Sequence, residues 1–258
     1  MNNVDASEIQ IDALEIEATL DGSSTLIDRA TGITYRSLFG AETESTYVFV
    51  EGTRVFSKKG PWNILEFGLG GGSNLMSTLK RYRENQSTAA LHYHAIERAP
   101  VLPALAQELH KAHGSKSDLE LLLSALNMAV KNPTQPLLME HKSLNITLTL
   151  WLGDFRRAKL PPATFDAVYH DPFDPRINPD GWTNAWFSTA RQAMKDDGIL
   201  TTYSAATPTR RTMAKAGLHV GSQPGVGGKR EMTGASPNPK CLQGYKLLPA
   251  HKQPGTTR

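Results

Sequence analysis

The chain has 258 residues, 39% of them hydrophobic and 21% charged, a globular composition with enough apolar material for one large α/β core. Its single cysteine, Cys241, excludes an intramolecular disulfide framework and a cysteine-cluster zinc site, so a reducing compartment, the cytoplasm, is the expected setting. A net charge of +3 is too small to announce a nucleic-acid binder, no apolar run nears the roughly 20 residues that cross a bilayer, and residues 1–10 are polar rather than signal-like.

The first 58 residues read as short strands and turns: Ala18-Thr19-Leu20 before Asp21-Gly22, then Ile33-Thr34-Tyr35, then Thr46-Tyr47-Val48-Phe49-Val50. A small β-rich extension, 1–58, is expected ahead of a main domain, 59–250, with a loop-like tail, 251–258. From Trp62 strands and helices alternate, which argues for a mainly parallel sheet wrapped by helices. Strands are expected at about 63–67, 91–96, 146–152, 165–170, 198–203, 218–222 and 241–247. Helical patterns lie at about 73–84, 100–112, 182–195 and 207–216, with Pro100 and Pro208 where helix starts tolerate proline. An additional apolar helix, 117–130, precedes Pro133, Pro136 and a hairpin over 137–150; its leucines point to packing.

The strand from Trp62 runs into Glu66-Phe67-Gly68-Leu69-Gly70-Gly71-Gly72-Ser73-Asn74. Glycines at 68, 70 and 72 let the backbone turn sharply and approach a ligand without a Cβ clash, while the next helix presents free N–H groups. Dinucleotide folds use related spacing, and a ligand-free tight turn has the same appearance. The next strand ends in Glu97, about 25 residues past the glycines, where an acid can accept both ribose hydroxyls of a nucleoside. NAD therefore stays open here, as does a plain exposed acid before Pro100. His92 and His94 share a strand face with no thiol or acid cluster beside them, so they read as packed or exposed, and no metal site is expected. Trp151-Leu152-Gly153-Asp154 puts another acid just past a strand, where it can accept from an adenine amino group or cap the turn at Phe155-Arg156. Three such features at successive strand ends are what the switch-point rule predicts for one nucleoside ligand.

The segment Phe165 to Pro175 is a strand running into a proline-rigid loop that holds the Asp171 carboxylate beside the Phe173 ring. It resembles the Asp-Pro-Pro-Tyr type of loop in amino-methyltransferases. Methyl transfer to nitrogen is an in-line displacement, so catalysis is chiefly positioning plus removal of one proton. Asp171 can bind an ammonium, accept its proton and aim the neutral amine. A carboxylate also stabilises the charged amine, which opposes deprotonation unless desolvation counters it, so orientation reads as the larger role. Asp171 and Asp174 also fit turn-forming Asp-Pro pairs. His170 reads as packing. Trp182 and Trp186, at i and i+4, read as core, though Trp182 opens its helix beside the acceptor loop. Acidic residues crowd the first twenty positions while Arg210, Arg211, Lys215, Lys229, Arg230 and Lys240 cluster late, an asymmetry that permits an RNA-facing surface.

At Asp171-Pro172-Phe173-Asp174-Pro175-Arg176-Ile177-Asn178-Pro179-Asp180-Gly181-Trp182 the sequence resembles the methyltransferase half of the tRNA wobble-uridine enzyme MnmC and its stand-alone relatives, MnmD. The likeness extends to Glu44 through Gly52, the cofactor turn, Trp151 to Asp154, and Gly228-Lys229-Arg230-Glu231-Met232. It implies a class I S-adenosylmethionine-dependent methyltransferase with a Rossmann-like seven-stranded sheet. The implied reaction methylates the primary amine of 5-aminomethyl(-2-thio)uridine at tRNA position 34, with a separate enzyme supplying the aminomethyl uridine. The FAD oxidase half of fused relatives is not expected.

The combined candidates are Asp171 and Phe173 for catalysis, and Glu66, Gly68, Gly70, Gly72, Asn74, Glu97 and Asp154 for S-adenosylmethionine. Trp182, Lys229 and Arg230 are the candidates for the tRNA substrate; no membrane partner and no metal are expected. Pro172, Asp174 and Gly71 depart from the family pattern. Two alternatives stay open: aminopropyl transfer of the spermidine-synthase type, which the absence of an acid at Leu69-Gly70-Gly71 disfavours, and a non-catalytic RNA binder using Lys229, Arg230 and Arg210 as phosphate contacts.

Overall fold

The computed structural model describes residues 13–112, 114–131, 136–141 and 144–249. The expected tail, 251–258, together with residues 1–10 and Pro133, lies outside the described residues. Three short strands come first, β1 (Leu14–Ala18), β2 (Ser24–Asp28) and β3 (Ile33–Thr34), paired antiparallel in that order as a small separate sheet. A helical stretch follows: α1 (Ala41–Glu44) continues into a π-helical segment, Ser45–Glu51.

The main sheet has nine strands. In chain order with their helices these are β4 (Trp62–Phe67), α2 (Ser73–Glu84), β5 (Leu91–Glu97), α3 (Pro103–His110), α4 (Lys116–Lys131), β6 (Leu137–His141) and β7 (Ile146–Leu152). They continue with β8 (Phe165–His170), α5 (Asn184–Ala193), β9 (Met194–Thr202), α6 (Thr207–Lys215), β10 (His219–Pro224), β11 (Glu231–Ser236) and β12 (Lys246–Leu247). The sheet order is β12-β10-β11-β9-β8-β4-β5-β7-β6. Strands β7, β5, β4, β8 and β9 run parallel, β11 is antiparallel to both β9 and β10, and β6 and β12 add antiparallel edges. This is the expected Rossmann-like class I sheet with one strand added at each side.

All six residues of β8 are buried, as a central strand covered by helices on both faces requires. The helix expected at 117–130 is α4, which buries Leu121, Leu122 and Leu126 in the core, and the expected hairpin is β6 paired with β7. Gly72, at φ 85, leads into α2; a Cβ there would lie 2.7 Å from Leu122 Cδ2, so this glycine lets α4 close on the turn.

Three expectations change. Thr46 to Val50 is helical rather than extended, because the segment buries Val48, Phe49 and Val50 between α2 and the main sheet, and that burial overrides the strand preference of β-branched and aromatic residues. The β-rich character expected up to residue 58 therefore ends at Thr34. Strand β11 was not expected, since Glu231-Met232-Thr233-Gly234-Ala235-Ser236 is small and lacks alternation. The strand expected at 241–247 is a 3-10 turn, Pro239–Leu242, followed by the short β12.

The strand order reverses between β4 and β8, and in open α/β sheets a ligand crevice forms at the carboxyl ends of strands flanking such a point.

Candidate functional site

The loops leaving β4, β5, β7 and β8 open onto one cleft of about 520 Å³, whose roof comes from β2, β3 and the residues that follow them. Gly68 stands just past the tip of β4, beside the tip of the parallel strand β8. At φ 92 its Cβ would lie 2.8 Å from the Asp171 carbonyl oxygen, and the Asp171 N–H donates to the Phe67 carbonyl at 3.0 Å. Gly70, at φ 51, donates its N–H to Glu97 Oε2 at 2.8 Å, while Glu97 Oε1 accepts from the Ala99 N–H at 2.8 Å. Glu97 thus ties the β4 and β5 loops together on the cleft wall, and desolvation raises its pKa despite these bonds. Asp154 also lines the cleft. Its Oδ1 accepts from the Arg156 N–H at 2.9 Å, so it caps the following turn, and the Arg156 guanidinium holds its carboxyl below the ordinary value.

Glu66, Gly72 and Asn74, expected at the cofactor, do not line the cleft. Glu66 is fully buried beneath it, with Oε1 accepting from Asn74 Nδ2 at 2.8 Å and Oε2 from the Tyr93 hydroxyl at 2.8 Å. The same Asn74 Nδ2 donates to Asp171 Oδ2 at 2.9 Å, so this layer supports the acceptor loop from behind. Burial pushes the Glu66 carboxyl up from 4.5 to about 8. Between those values the folded chain keeps a proton that the unfolded chain has lost, so this group's contribution to stability declines as pH rises through that window. Glu66→Gln is therefore expected to flatten the dependence of Tm on pH between about 5 and 8, while parallel melting curves for the two proteins would show an ionised Glu66.

At the other end of the cleft Asp171, 6% exposed, forms an ion pair with Arg36, which is 7% exposed. Burial pushes its carboxyl up to about 7 against the opposing pull of Arg36. Phe173 meets Tyr35 edge-on at 4.9 Å, forming an aromatic wall beside the acid. Lys229 pairs with the buried Glu44 and lies 4.3 Å from the centre of the Tyr203 ring, whose hydroxyl donates to the Pro172 carbonyl at 2.8 Å. Tyr35, Arg36, Glu44 and Tyr203 are the site residues that no motif singled out, although Glu44 opens one of the stretches with family likeness.

Trp182, expected at the substrate, is buried off the cleft wall and donates its Nε1–H to the Phe173 carbonyl at 2.8 Å; it holds the acceptor loop. Arg230 is exposed and does not line the cleft. Arg210, weighed as a phosphate contact, is buried and donates to Thr233 Oγ1 and to Glu231, each at 2.8 Å, which makes it a structural residue. His170 packs as expected. Its Nδ1 accepts from Trp186 Nε1 at 2.9 Å, and burial lowers its pKa to about 3. His94 lies edge-on to Phe165, and Asp174 caps its own loop by accepting from the Arg176 N–H at 3.0 Å. Among the described residues no group of three or more His, Cys, Asp or Glu is placed to hold a metal, and no helix is long and apolar enough to cross a membrane.

A family model for S-adenosyl-L-methionine-dependent methyltransferases matches residues 119–238. The chain is 31% identical over 212 residues to the tRNA 5-methylaminomethyl-2-thiouridine biosynthesis bifunctional protein MnmC of Ralstonia nicotianae, covering 78% of this chain and 31% of that protein. To the protein of the same name in Hahella chejuensis it is 29% identical over 237 residues, covering 87% of this chain and 36% of the relative. It thus spans about a third of the length of these curated relatives. The crystal structure of MNMC2 from Aquifex aeolicus is similar with a TM-score of 0.67 and 30% identity, over 87% of this chain and 70% of that one.

Proposed function

The chain belongs to the MnmC2 family of S-adenosylmethionine-dependent methyltransferases, and we propose that it methylates the primary amine of 5-aminomethyluridine, or of its 2-thio form, at the wobble position of tRNA. The observation that carries this reading is that the Asp171-Pro172 backbone stands against Gly68, so that the Asp171 carboxylate and the Phe173 ring line the same cleft as the glycine turn.

The residues present fit the cofactor. Gly68 and Gly70 expose bare backbone in left-handed conformations, and Glu97 and Asp154 bring carboxylates to the β5 and β7 tips on the same wall. Bound there, the cofactor would supply a methyl group on a positively charged sulfur, which an amine lone pair could take up as the C–S bond breaks and a neutral thioether leaves. In this proposal Asp171 accepts a hydrogen bond from an amine N–H, which fixes the lone pair, and afterwards takes the surplus proton from the methylated nitrogen. Phe173 and Tyr35 flank the acceptor and exclude water. Lys229, on the wall beside them, is placed to approach the phosphate of an RNA chain entering the cleft. A separate enzyme supplies the aminomethyl uridine.

The test is transfer of radiolabelled methyl from S-adenosylmethionine to total tRNA, followed by nucleoside mass spectrometry. A methylaminomethyl uridine is the expected product. Turnover of putrescine with decarboxylated S-adenosylmethionine, but not of tRNA, would establish aminopropyl transfer instead, and failure to bind the cofactor by calorimetry would leave only an RNA binder.

A further inference from the structure

The acceptor end of the cleft carries two acids and two bases. Arg36, three residues past the start of β3, pairs with Asp171 at the end of β8, and Lys229 ahead of β11 pairs with Glu44 of α1. The other titratable groups facing Asp171 do not change this sum at neutral pH. Glu66 of β4, behind Asn74, keeps its proton up to about pH 8, and burial holds the Tyr203 hydroxyl, just past β9, uncharged. Asp174, at the rim, is matched by Arg176. Once Asp171 is ionised, above about pH 7, the four charges cancel, yet Arg36 and Asp171 are almost fully removed from water. Even for a paired guanidinium and carboxylate the cost of desolvation can exceed the attraction between them, so the arrangement calls for a functional reason.

Resting on the amine-methylating reading above, we infer that Arg36 is a positioning residue that cancels the Asp171 charge, so that the cleft takes its acceptor as the neutral primary amine rather than as the alkylammonium. An alkylamine in water holds its proton to a pKa near that of lysine, about 10.4, and a protonated nitrogen has no lone pair to attack with. A lone buried carboxylate would bind that cation and retain its proton. The same carboxylate paired with Arg36 still has lone pairs for one amine N–H but presents no net negative field. The positive sulfur of the donor adds to the bias against a second cation. Arg36 has a further effect in the same direction: it keeps Asp171 ionised, and so able to accept, at lower pH than burial alone would allow.

The experiment compares wild type, Arg36→Lys and Arg36→Gln in methyl transfer to aminomethyl-uridine tRNA across pH, alongside a carbon-13 carboxyl titration of Asp171 in the protein alone. Arg36→Gln is expected to move the acid limb of the kcat profile and the Asp171 titration together to higher pH by about one unit, with kcat at pH 7 down roughly five-fold and KM for tRNA not raised. Arg36→Lys keeps a charge but loses the planar fork, so both quantities should shift in the same direction by less. This intermediate variant keeps the test decisive if the glutamine protein folds poorly. An acid limb and an Asp171 titration that stay in place in the variants, whatever the loss of rate, would reduce Arg36 to a structural role. A wild-type chain that methylates no aminomethyl uridine would overturn the substrate reading and this inference together, whereas wild-type turnover with an unmoved limb overturns the inference alone.

Discussion

Asp171→Asn is expected to lower kcat for methyl transfer by about a thousand-fold while leaving S-adenosylmethionine affinity within a few-fold, because positioning and proton removal together are worth roughly that much. Asparagine keeps the shape and one acceptor oxygen, but it neither takes a proton nor balances Arg36. Alanine should abolish turnover as well, though less cleanly. Both variants leave the buried Arg36 charge uncompensated, a cost of about 3–5 kcal/mol in stability, and alanine also removes the acceptor oxygen, so it mixes more unfolding with the lost chemistry. Single-turnover rates beside calorimetric cofactor titrations separate the two effects. Near-normal turnover by the asparagine variant would remove Asp171 from the reaction.

Gly68→Val should act at the opposite side of the same contact and abolish cofactor binding. Its Cβ would lie 2.8 Å from the Asp171 carbonyl oxygen, which is backbone and cannot swing aside, and the φ of 92° strains any residue with a side chain. Left-handed strain and overpacking together come to about 3 kcal/mol, so the denaturation midpoint should fall as well. Gly70→Ala offers a graded comparison, since its Cβ would approach only the Tyr35 ring, at 3.1 Å. Calorimetry showing S-adenosylmethionine bound by the valine variant at wild-type affinity would mean that the adjoining β4 and β8 tips do not form the cofactor's floor.

The part of the fold built from repeated local patterns was legible in advance. The strand around Ile64 and Leu65, the glycine turn, the helix from Ser73 and the acids at 97, 154 and 171 all follow from periodicity and strand-end chemistry, and Gly68, Gly70, Glu97, Asp154 and Asp171 line the cleft whereas Glu66, Gly72 and Asn74 do not. Elements specified by tertiary burial were not. Tyr47 to Val50 reads as extended because its residues favour strands, yet it winds into a helix to fill the space beside α2. Strand β11 hides because Gly234 and Ala235 leave no hydrophobic alternation to detect, although packing beneath Tyr245 requires that smallness: a Cβ on Gly234 would lie 2.4 Å from the Tyr245 ring. The site shows the same division. Asp171 and Phe173 sit in a recognisable loop, whereas Arg36 and Tyr203, at distant points in the chain, become visible as partners only once the small N-terminal sheet and the end of β9 fold toward the cleft. Glu66 and Trp182, read as contacts from the sequence, lie buried behind the cleft lining, since residue type alone does not distinguish a wall from its support.

Three pairings join the segment 44–52, one of them on the cleft wall, to residues near the end of the described chain. Lys229 meets Glu44, the Tyr47 hydroxyl reaches the Pro224 carbonyl at 3.1 Å, and the Tyr245 hydroxyl reaches the Gly52 carbonyl at 2.8 Å. During synthesis the helical segment at 45–51 therefore leaves the ribosome well before the residues that anchor it. The parallel strands β4, β5, β7 and β8 can pair while the acceptor side of the crevice is still open, and long-range contacts of this kind form slowly. A nascent chain halted before Pro224 would carry the glycine turn, Asp171 and Phe173 but lack Lys229 and the Tyr245 hydroxyl that holds the Gly52 carbonyl, so the cleft is completed only with the last strands.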